Sequence, residues 1–125
     1  MKTVLIVEDE ETLARVLEDN LRAEKYDVIV ARNGEEAILR IMEKKPNLVL
    51  LDILMPKQNG FNVLGKMKMS PEWSNIPIII LSNLGEFTDL NRAKEMGADD
   101  YLVKSHHSMD EIIKKIKTYL DSPGP

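Results

Sequence analysis

The sequence contains no cysteine, so disulfide bonds and thiolate zinc sites are excluded. Aromatic residues make up only 5% of the chain, and no apolar run approaches the roughly 20 residues that a membrane-spanning helix needs. A secretory signal is also missing, because the short apolar stretch after Met1 and Lys2 ends at Glu8. These absences predict a cytoplasmic protein that does not enter the membrane.

Basic residues are in the minority, with 17 Lys and Arg against 21 Asp and Glu and a formal net charge of −4. They are scattered along the chain rather than gathered into a stripe, which argues against direct nucleic-acid binding. The length of 125 residues suits one domain. We expect that domain to span 1–121, followed at 122–125 by a flexible tail or linker remnant, because Pro and Gly there cannot extend a helix.

Five short runs of β-branched and aliphatic residues lack polar alternation, which is typical of strands covered on both faces. They lie at 4–7, 28–31, 48–51, 76–81 and 101–103. Between them, apolar residues recur at three- and four-residue steps, which indicates amphipathic helices. The stripe of the first helix is read as Leu13, Val16, Leu17 and Leu21, and that of the second as Ala37, Ile38, Ile41 and Met42.

Three further helices complete the pattern. They are expected over 61–69, over 86–96, and from a Ser108 to Glu111 capping box onward. Strict alternation of strand and helix predicts an α/β fold, and right-handed crossovers favour a doubly wound arrangement. We therefore predict a five-stranded parallel sheet in the order 2-1-3-4-5 with five helices.

Polar side chains follow four of the five predicted strands. Strand one ends in Glu8 and Asp9, strand three in Asp52, strand four in Ser82 and strand five in Lys104. In the order 2-1-3-4-5 these strands are neighbours, and ligands of such sheets bind beyond the carboxyl ends of the strands. We expect the five side chains to share one pocket.

The chemistry of this set points to phosphoryl transfer. Carboxylates that lie close together repel one another, and a hard divalent cation such as Mg²⁺ relieves that repulsion. Asp9 and Asp52 are candidates for direct ligation, with Glu8 acting through water. Asp52 would attack the phosphoryl group, while Lys104 and Mg²⁺ offset oxygen charge and Ser82 donates a hydrogen bond. Glu10 and Glu11 are interpreted as a solvated helix start.

On these motifs the chain resembles the receiver domains of bacterial two-component response regulators. The resemblance implies that a histidine kinase or histidine phosphotransfer protein phosphorylates Asp52, and that the main-chain carbonyl of Leu54 is a further metal ligand. It also implies a switch in which Ser82 and Tyr101 move and change the helix 4, strand 5 and helix 5 surface for a downstream protein target or an appended output domain. The motifs are Val7-Glu8-Asp9-Glu10, 51–56 with Gly60, Leu81-Ser82, and 97–104.

Several positions depart from the receiver pattern. Ser105 replaces the proline that usually follows the lysine with a cis bond, and a cis bond before another residue costs about 2.5–4 kcal/mol, so the geometry of this loop stays open. Leu54 and Leu84 stand where many receivers carry polar side chains that orient water, which predicts slow self-dephosphorylation. Asn83 replaces a smaller residue and is expected to narrow access to the site.

Other interpretations compete with this one. Tyr101 is nearly as well explained as an ordinary strand aromatic, and Gly60 as a loop residue that uses positive φ. His106 and His107 receive no role. A dehalogenase-type hydrolase is disfavoured, because it would need an acidic residue at the position of Leu54. A flavodoxin-like carrier is also disfavoured, because it would need a hydroxyl-rich loop where residues 8–11 are all acidic. The alternative that stays open is a phosphate-independent receiver-like interaction module.

Overall fold

The computed structural model of the chain describes residues 1–53, 60–83 and 87–121, apart from the side chains of residues 87–90. The predicted tail at 122–125 lies outside these ranges. The strands are Thr3–Val7 (β1), Asp27–Ala31 (β2), Leu48–Leu51 (β3), Ile78–Ser82 (β4) and Asp100–Val103 (β5). The helices are Glu11–Ala23 (α1), Gly34–Glu43 (α2), Gly60–Met69 (α3), Phe87–Glu95 (α4) and Met109–Leu120 (α5), and a short 3₁₀ helix spans Lys104–His106.

The strands form one parallel sheet in the order β2-β1-β3-β4-β5, which confirms the predicted fold. In the register of the sheet, Val7 lies beside both Ala31 and Leu51. The carboxyl ends of β1, β3, β4 and β5 therefore lie side by side, while β2 occupies an outer edge. β4 begins at Ile78 rather than at residue 76, because Pro77 has no N–H to donate to the sheet.

Two apolar layers cover the sheet, one on each face. Successive residues of a strand point to opposite faces, so Leu5 and Val7 pack with α2, α3 and α4, whereas Val4 and Ile6 pack with α1 and α5. This arrangement explains why the strands read as continuous apolar runs.

Two residues of the predicted helix stripes do not lie on the buried face. Val16 is 40% exposed and Met42 is 67% exposed. Adjacent residues of an α-helix lie about 100° apart around its axis, so the immediate neighbours of buried Leu17 and Ile41 turn away from the sheet. The buried stripes are narrower than predicted.

The helix starts agree with the sequence signals. The Ser108 hydroxyl accepts a hydrogen bond from the Glu111 N–H, and the Glu111 carboxylate accepts one from the Ser108 N–H, which completes the predicted capping box. Asn33 caps α2 by accepting from the Glu36 N–H at 2.8 Å. Within the part of the chain that the structure describes, no helix has both the length and the apolar character needed to cross a membrane.

Candidate functional site

The main chain brings four strand ends to one edge of the sheet. The Glu8 N–H donates to the Ala31 carbonyl at 2.9 Å, and the Asp52 N–H donates to the Val7 carbonyl at 3.0 Å, so the parallel ladder continues just past β1 and β3. Ser82 closes β4, and Lys104 directly follows β5. The polar side chains therefore leave the sheet at one level.

Asp52 lies at the centre of this edge. Its side chain is buried, with only 5% of the residue exposed. The Ser82 hydroxyl donates to Oδ1 at 3.2 Å, and the Lys104 ammonium donates to Oδ2 at 3.2 Å. Both carboxylate oxygens thus have a hydrogen-bond donor, one neutral and one cationic.

Lys104 is shared by three carboxylates. Its Nζ lies 2.7 Å from Glu8 Oε1, 3.2 Å from Asp52 Oδ2 and 3.7 Å from Glu10 Oε2. Burial works to lower the pKa of Lys104, but the hydrogen bond to Glu8 and the charges of Asp52 and Glu8 outweigh burial and raise that pKa. The ammonium therefore stays charged at neutral pH.

Glu8 is the most deeply buried acid of the site, with 2% of the residue exposed. Burial raises the pKa of Glu8 to about 7, assisted by the charge of Asp52 and opposed by the hydrogen bonds from Lys104 and the Glu10 N–H. Glu8 Oε2 accepts that N–H at 3.0 Å. Glu8 is thus partly protonated near neutral pH, chiefly because the fold buries its carboxyl group.

The acids can accommodate a hard cation. Glu8, Asp9 and Asp52 each offer a carboxylate oxygen, and these three atoms lie within 4.8 Å of one another. Asp9 is exposed beside its two buried neighbours. Oxygen ligands and uncompensated negative charge are what Mg²⁺ requires, so the residues fit that ion. Leu54, the further ligand predicted from the resemblance, lies outside the described residues.

The loop after Lys104 has a defined geometry. No cis peptide bond occurs among the residues that the structure describes, so the bond between Lys104 and Ser105 is trans. The chain continues as the 3₁₀ helix Lys104–His106. Lys104 nevertheless reaches Asp52 and Glu8, and replacement of the usual proline by Ser105 does not withdraw the lysine from the site.

Gly60 shapes the site for a reason other than the predicted one. Positive φ occurs in the described ranges at Lys25 (φ 70°) and Gly97 (φ 103°) and not at Gly60. A Cβ on Gly60 would instead lie 2.5 Å from the Asp52 carbonyl oxygen and 2.5 Å from the Ile53 Cα. Glycine is needed because the start of α3 packs directly against the main chain of the phosphoacceptor candidate.

Glu10 was missed as a member of the site. The sequence predicts that Glu10 belongs to a solvated helix start, yet its side chain makes no cap hydrogen bond to α1 and its carboxylate faces Lys104. The backbone at Glu10 is extended, with φ −82° and ψ 102°. In extended chain, residues two apart point to the same side, so the spacing of Glu8 and Glu10 was the available signal.

The remaining predicted residues lie around this centre. Tyr101 is half-buried and packs against the apolar layer of α2, α3 and α4. Asn83 is exposed just after β4, and His106 is exposed. His107 Nδ1 lies 3.9 Å from Glu111 Oε2 and is not part of the acidic cluster. Leu84 and the residues 54–59 lie outside the described ranges.

A family profile and individual sequence relatives of this chain agree with each other. A family profile described as response regulator receiver domain matches residues 4–117. A probable transcriptional regulator ycf27 of Pyropia yezoensis is 42% identical over 117 residues, which cover 94% of this chain and 46% of that protein. The chain thus spans about half the length of the curated relatives it matches.

Solved structures agree with the sequence relatives. A putative response regulator from Chloroflexus aurantiacus superimposes with a TM-score of 0.88 at 32% identity and covers 96% of this chain and 98% of its own. The Mn²⁺-bound form of response regulator Rcp1 superimposes with a TM-score of 0.87 at 26% identity, covering 100% of this chain and 98% of its own.

Proposed function

Because the chain belongs to the response regulator receiver domain family, we propose that it is a phosphoacceptor whose Asp52 takes a phosphoryl group and passes the event to a partner as a changed surface. The observation that carries this proposal is the position of Asp52. Its carboxylate is buried at the end of β3, between a serine hydroxyl and a charged lysine, and beside acids that fit a divalent cation.

The transfer step follows from these neighbours. An Asp52 carboxylate oxygen attacks phosphorus, the bond from phosphorus to the donor nitrogen or oxygen breaks, and the bonding electrons leave with the donor group. Lys104 pairs with a phosphoryl oxygen, and Ser82 donates to another, so the negative charge of the group is met by two prearranged donors. The donor is a phosphohistidine of a histidine kinase or of a phosphotransfer protein.

The acids of the site serve a divalent cation in this proposal. Asp9, Asp52 and the Leu54 carbonyl would hold Mg²⁺, with Glu8 acting through water, and the bound ion would neutralise phosphoryl oxygen charge. The similarity to the Mn²⁺-bound form of Rcp1 supports a divalent cation in this fold. The carboxylate oxygens of Glu8, Asp9 and Asp52, which lie within 4.8 Å of one another, support it from this chain's own residues, because a cation would relieve their mutual repulsion.

In this proposal, the conformational change that follows phosphorylation is transmitted through β4 and β5. Ser82 and Tyr101 lie on these neighbouring strands, and Tyr101 is paired in register with Ile80. We assign the switch to Ser82 moving toward the phosphoryl group and Tyr101 turning inward, which would alter the surface of α4, β5 and α5. The receiver itself acts in the cytoplasm on a downstream protein or an appended output domain. Transcriptional control belongs to the longer relatives.

Phosphate labelling tests the proposal. Wild-type protein is incubated with Mg²⁺ and a small acyl phosphate, and intact mass counts the added phosphoryl groups. We expect one group that hydroxylamine removes, as for an acyl phosphate. Asp52→Asn must not acquire it, while Asp99→Asn, at the opposite end of the sheet, must acquire it normally. An unmodified wild type, even with a histidine phosphodonor, would instead favour the phosphate-independent module.

The lifetime of the phosphoryl group is a second measurable property. The side chains of Leu54 and Leu84 carry no polar atom to orient attacking water, so we propose slow self-dephosphorylation. Loss of the label is followed after the phosphodonor is removed, with Mg²⁺ in excess. Replacement of Leu54 by Asn should shorten the lifetime, and a wild-type lifetime of seconds would contradict the proposal.

A further inference from the structure

Glu10 has no role in the phosphoacceptor mechanism, although its carboxylate lies 3.7 Å from the Lys104 ammonium. It is the residue before α1, yet its side chain makes no cap hydrogen bond to that helix. Its main chain does contribute, because the Glu10 N–H donates to Glu8 Oε2. The carboxylate therefore faces Lys104 and does not cap the following helix through a hydrogen bond.

A cation that binds at this site has to exchange with the hydrogen-bond donors that Asp52 already has. Lys104 is hydrogen-bonded to Asp52 Oδ2, and the Ser82 hydroxyl is hydrogen-bonded to Oδ1. A cation that binds Asp52 must therefore share or displace these donors, and its positive charge repels the ammonium. The Lys104 side chain is only 13% exposed, so a second carboxylate that keeps the displaced ammonium paired would make the exchange less costly.

Among the residues that the structure describes, two carboxylates besides Asp52 lie within reach of the displaced ammonium. Glu8 Oε1 is already 2.7 Å from Nζ, and its other oxygen is occupied by the Glu10 N–H. Glu10 Oε2, at 3.7 Å, is close enough for an ion pair but longer than a hydrogen bond, so it has room to tighten. Glu10 is the acid whose contact with Lys104 can grow as the contact with Asp52 is lost.

We propose that Glu10 is a positioning residue that holds Lys104 when a divalent cation takes its place at Asp52. The inference rests on the proposed function, because it concerns the same site. By keeping the lysine paired, Glu10 makes the exchange less costly and strengthens cation binding without being a ligand. Its side chain is 59% exposed, so the effect is that of a partly screened ion pair, about a two- to fivefold change in cation affinity.

A double-mutant cycle tests this inference. Mg²⁺ is titrated calorimetrically into wild type, Glu10→Gln, Lys104→Met and the double variant; Gln keeps the size and the main-chain N–H of Glu10. We expect Glu10→Gln to raise the Mg²⁺ dissociation constant about two- to fivefold. In the Lys104→Met background, the same change should have no effect beyond that of the control. Lys104→Gln provides a second background if Lys104→Met does not fold.

The matched control is Glu11→Gln, which removes the same charge at the next residue. Glu11 is exposed and pairs with Arg32 at 3.6 Å rather than with Lys104. Equal effects of Glu10→Gln and Glu11→Gln, or an effect of Glu10→Gln that persists without Lys104, would overturn the inference while leaving the phosphoacceptor proposal intact. Absence of Mg²⁺ binding and of phosphate labelling in wild type would overturn both.

Discussion

The two ends of the sheet both carry charged side chains, but they balance those charges differently. At the carboxyl end, Lys104 is the cation that Glu8, Glu10 and Asp52 share. Glu8 and Asp52 are both buried. Within the described ranges, three acids thus share one cation in a place that water reaches poorly.

At the amino end, acids and bases are matched one to one. Lys44 pairs with Asp27 at 2.8 Å, and Lys115 pairs with Asp100 at 3.2 Å. The carboxylate of Asp100 also accepts a hydrogen bond from the Tyr119 hydroxyl. These pairs are more exposed and hold the first residues of β2 and β5 in place.

The difference separates a structural set of polar contacts from a functional one. Matched pairs satisfy each charge within the fold, and nothing further needs to bind. An excess of buried carboxylates destabilises the fold. Such an excess is found where a bound ligand relieves the repulsion. The composition of a polar cluster is therefore a better guide to function here than its size.

Removal of the lysine at each end should give the largest contrast. Lys104→Met leaves two buried acids without a cation, and we expect a loss of about 3 kcal/mol in the free energy of unfolding at pH 8, limited because Glu8 can take up a proton. Lys115→Met, at an exposed pair, should lose at most about 1 kcal/mol. Urea unfolding in the absence of divalent cations measures both. Similar losses would mean that the two ends are equivalent.

Glycine replacements probe the main chain at each end. Gly60→Ala places a Cβ against backbone atoms that cannot move aside, and should cost about 2–3 kcal/mol. In Gly97→Ala the new Cβ would lie 3.3 Å from flexible Lys68 methylenes, which can move. The loss of stability, about 1–2 kcal/mol, should come mainly from the strain of a φ of 103°. Thermal unfolding ranks the two. If Gly97→Ala is the more damaging, close packing under Asp52 is not the constraint that we describe.

The pH dependence of stability should have opposite signs at the two ends. The folded-state pKa of Glu8, about 7, lies above its ordinary value of 4.5. Its contribution to stability is therefore complete below pH 4.5 and is lost as the pH rises through 7. Cation-free protein should lose about 1–3 kcal/mol between pH 5 and pH 8 through Glu8.

Glu8→Gln provides the control, because it should remove that part of the pH dependence. Asp27 behaves in the opposite way, since its hydrogen bond and ion pair with Lys44 lower the pKa of Asp27. Its contribution is present at neutral pH and is lost as the pH falls through the lowered pKa. Urea midpoints across the pH range distinguish the two, and a wild-type profile unchanged by Glu8→Gln would contradict our account of Glu8.

Neutralising one acid at each end should produce the smallest effects, with opposite signs. Asp52→Asn removes repulsion against Glu8, so cation-free protein should gain about 1 kcal/mol. Asp100→Asn loses its ion pair with Lys115 and weakens the contact with Tyr119, and should lose about 1 kcal/mol. Added Mg²⁺ should reverse the advantage of Asp52→Asn over wild type. Destabilisation by both changes would remove the distinction between the ends.

The fold and most of the pocket could be predicted from the sequence because the signals were local or topological. Apolar runs located β1 and β3, and the strand order then brought Asp52, Ser82 and Lys104 to one edge. Details that depend on tertiary packing could not be predicted from the sequence. The exposure of Val16 and Met42 depends on the helix rotation set by packing, which a three- and four-residue pattern defines only to within one residue.

The reason for Gly60 and the contact of Glu10 depend on distances between segments. Glycine at position 60 is compatible with positive φ and with close packing, and only the approach of α3 to Asp52 decides between them. In the sequence, Glu10 and Glu11 are equivalent acids at a helix start. The position of the Lys104 ammonium, 3.7 Å from the Glu10 carboxylate, distinguishes them. The bond before Ser105 is trans, which agrees with the cost of about 2.5–4 kcal/mol for a cis bond before a residue other than proline.

Location of the acceptor residue tests the central claim most directly. Protein phosphorylated with a small acyl phosphate and Mg²⁺ is reduced with borohydride, which converts an aspartyl phosphate to homoserine, and peptide mass spectrometry then locates the homoserine. The account predicts conversion at Asp52 and at no other acid. Conversion at Asp9, Asp99 or Asp100, or no conversion at all, would contradict it.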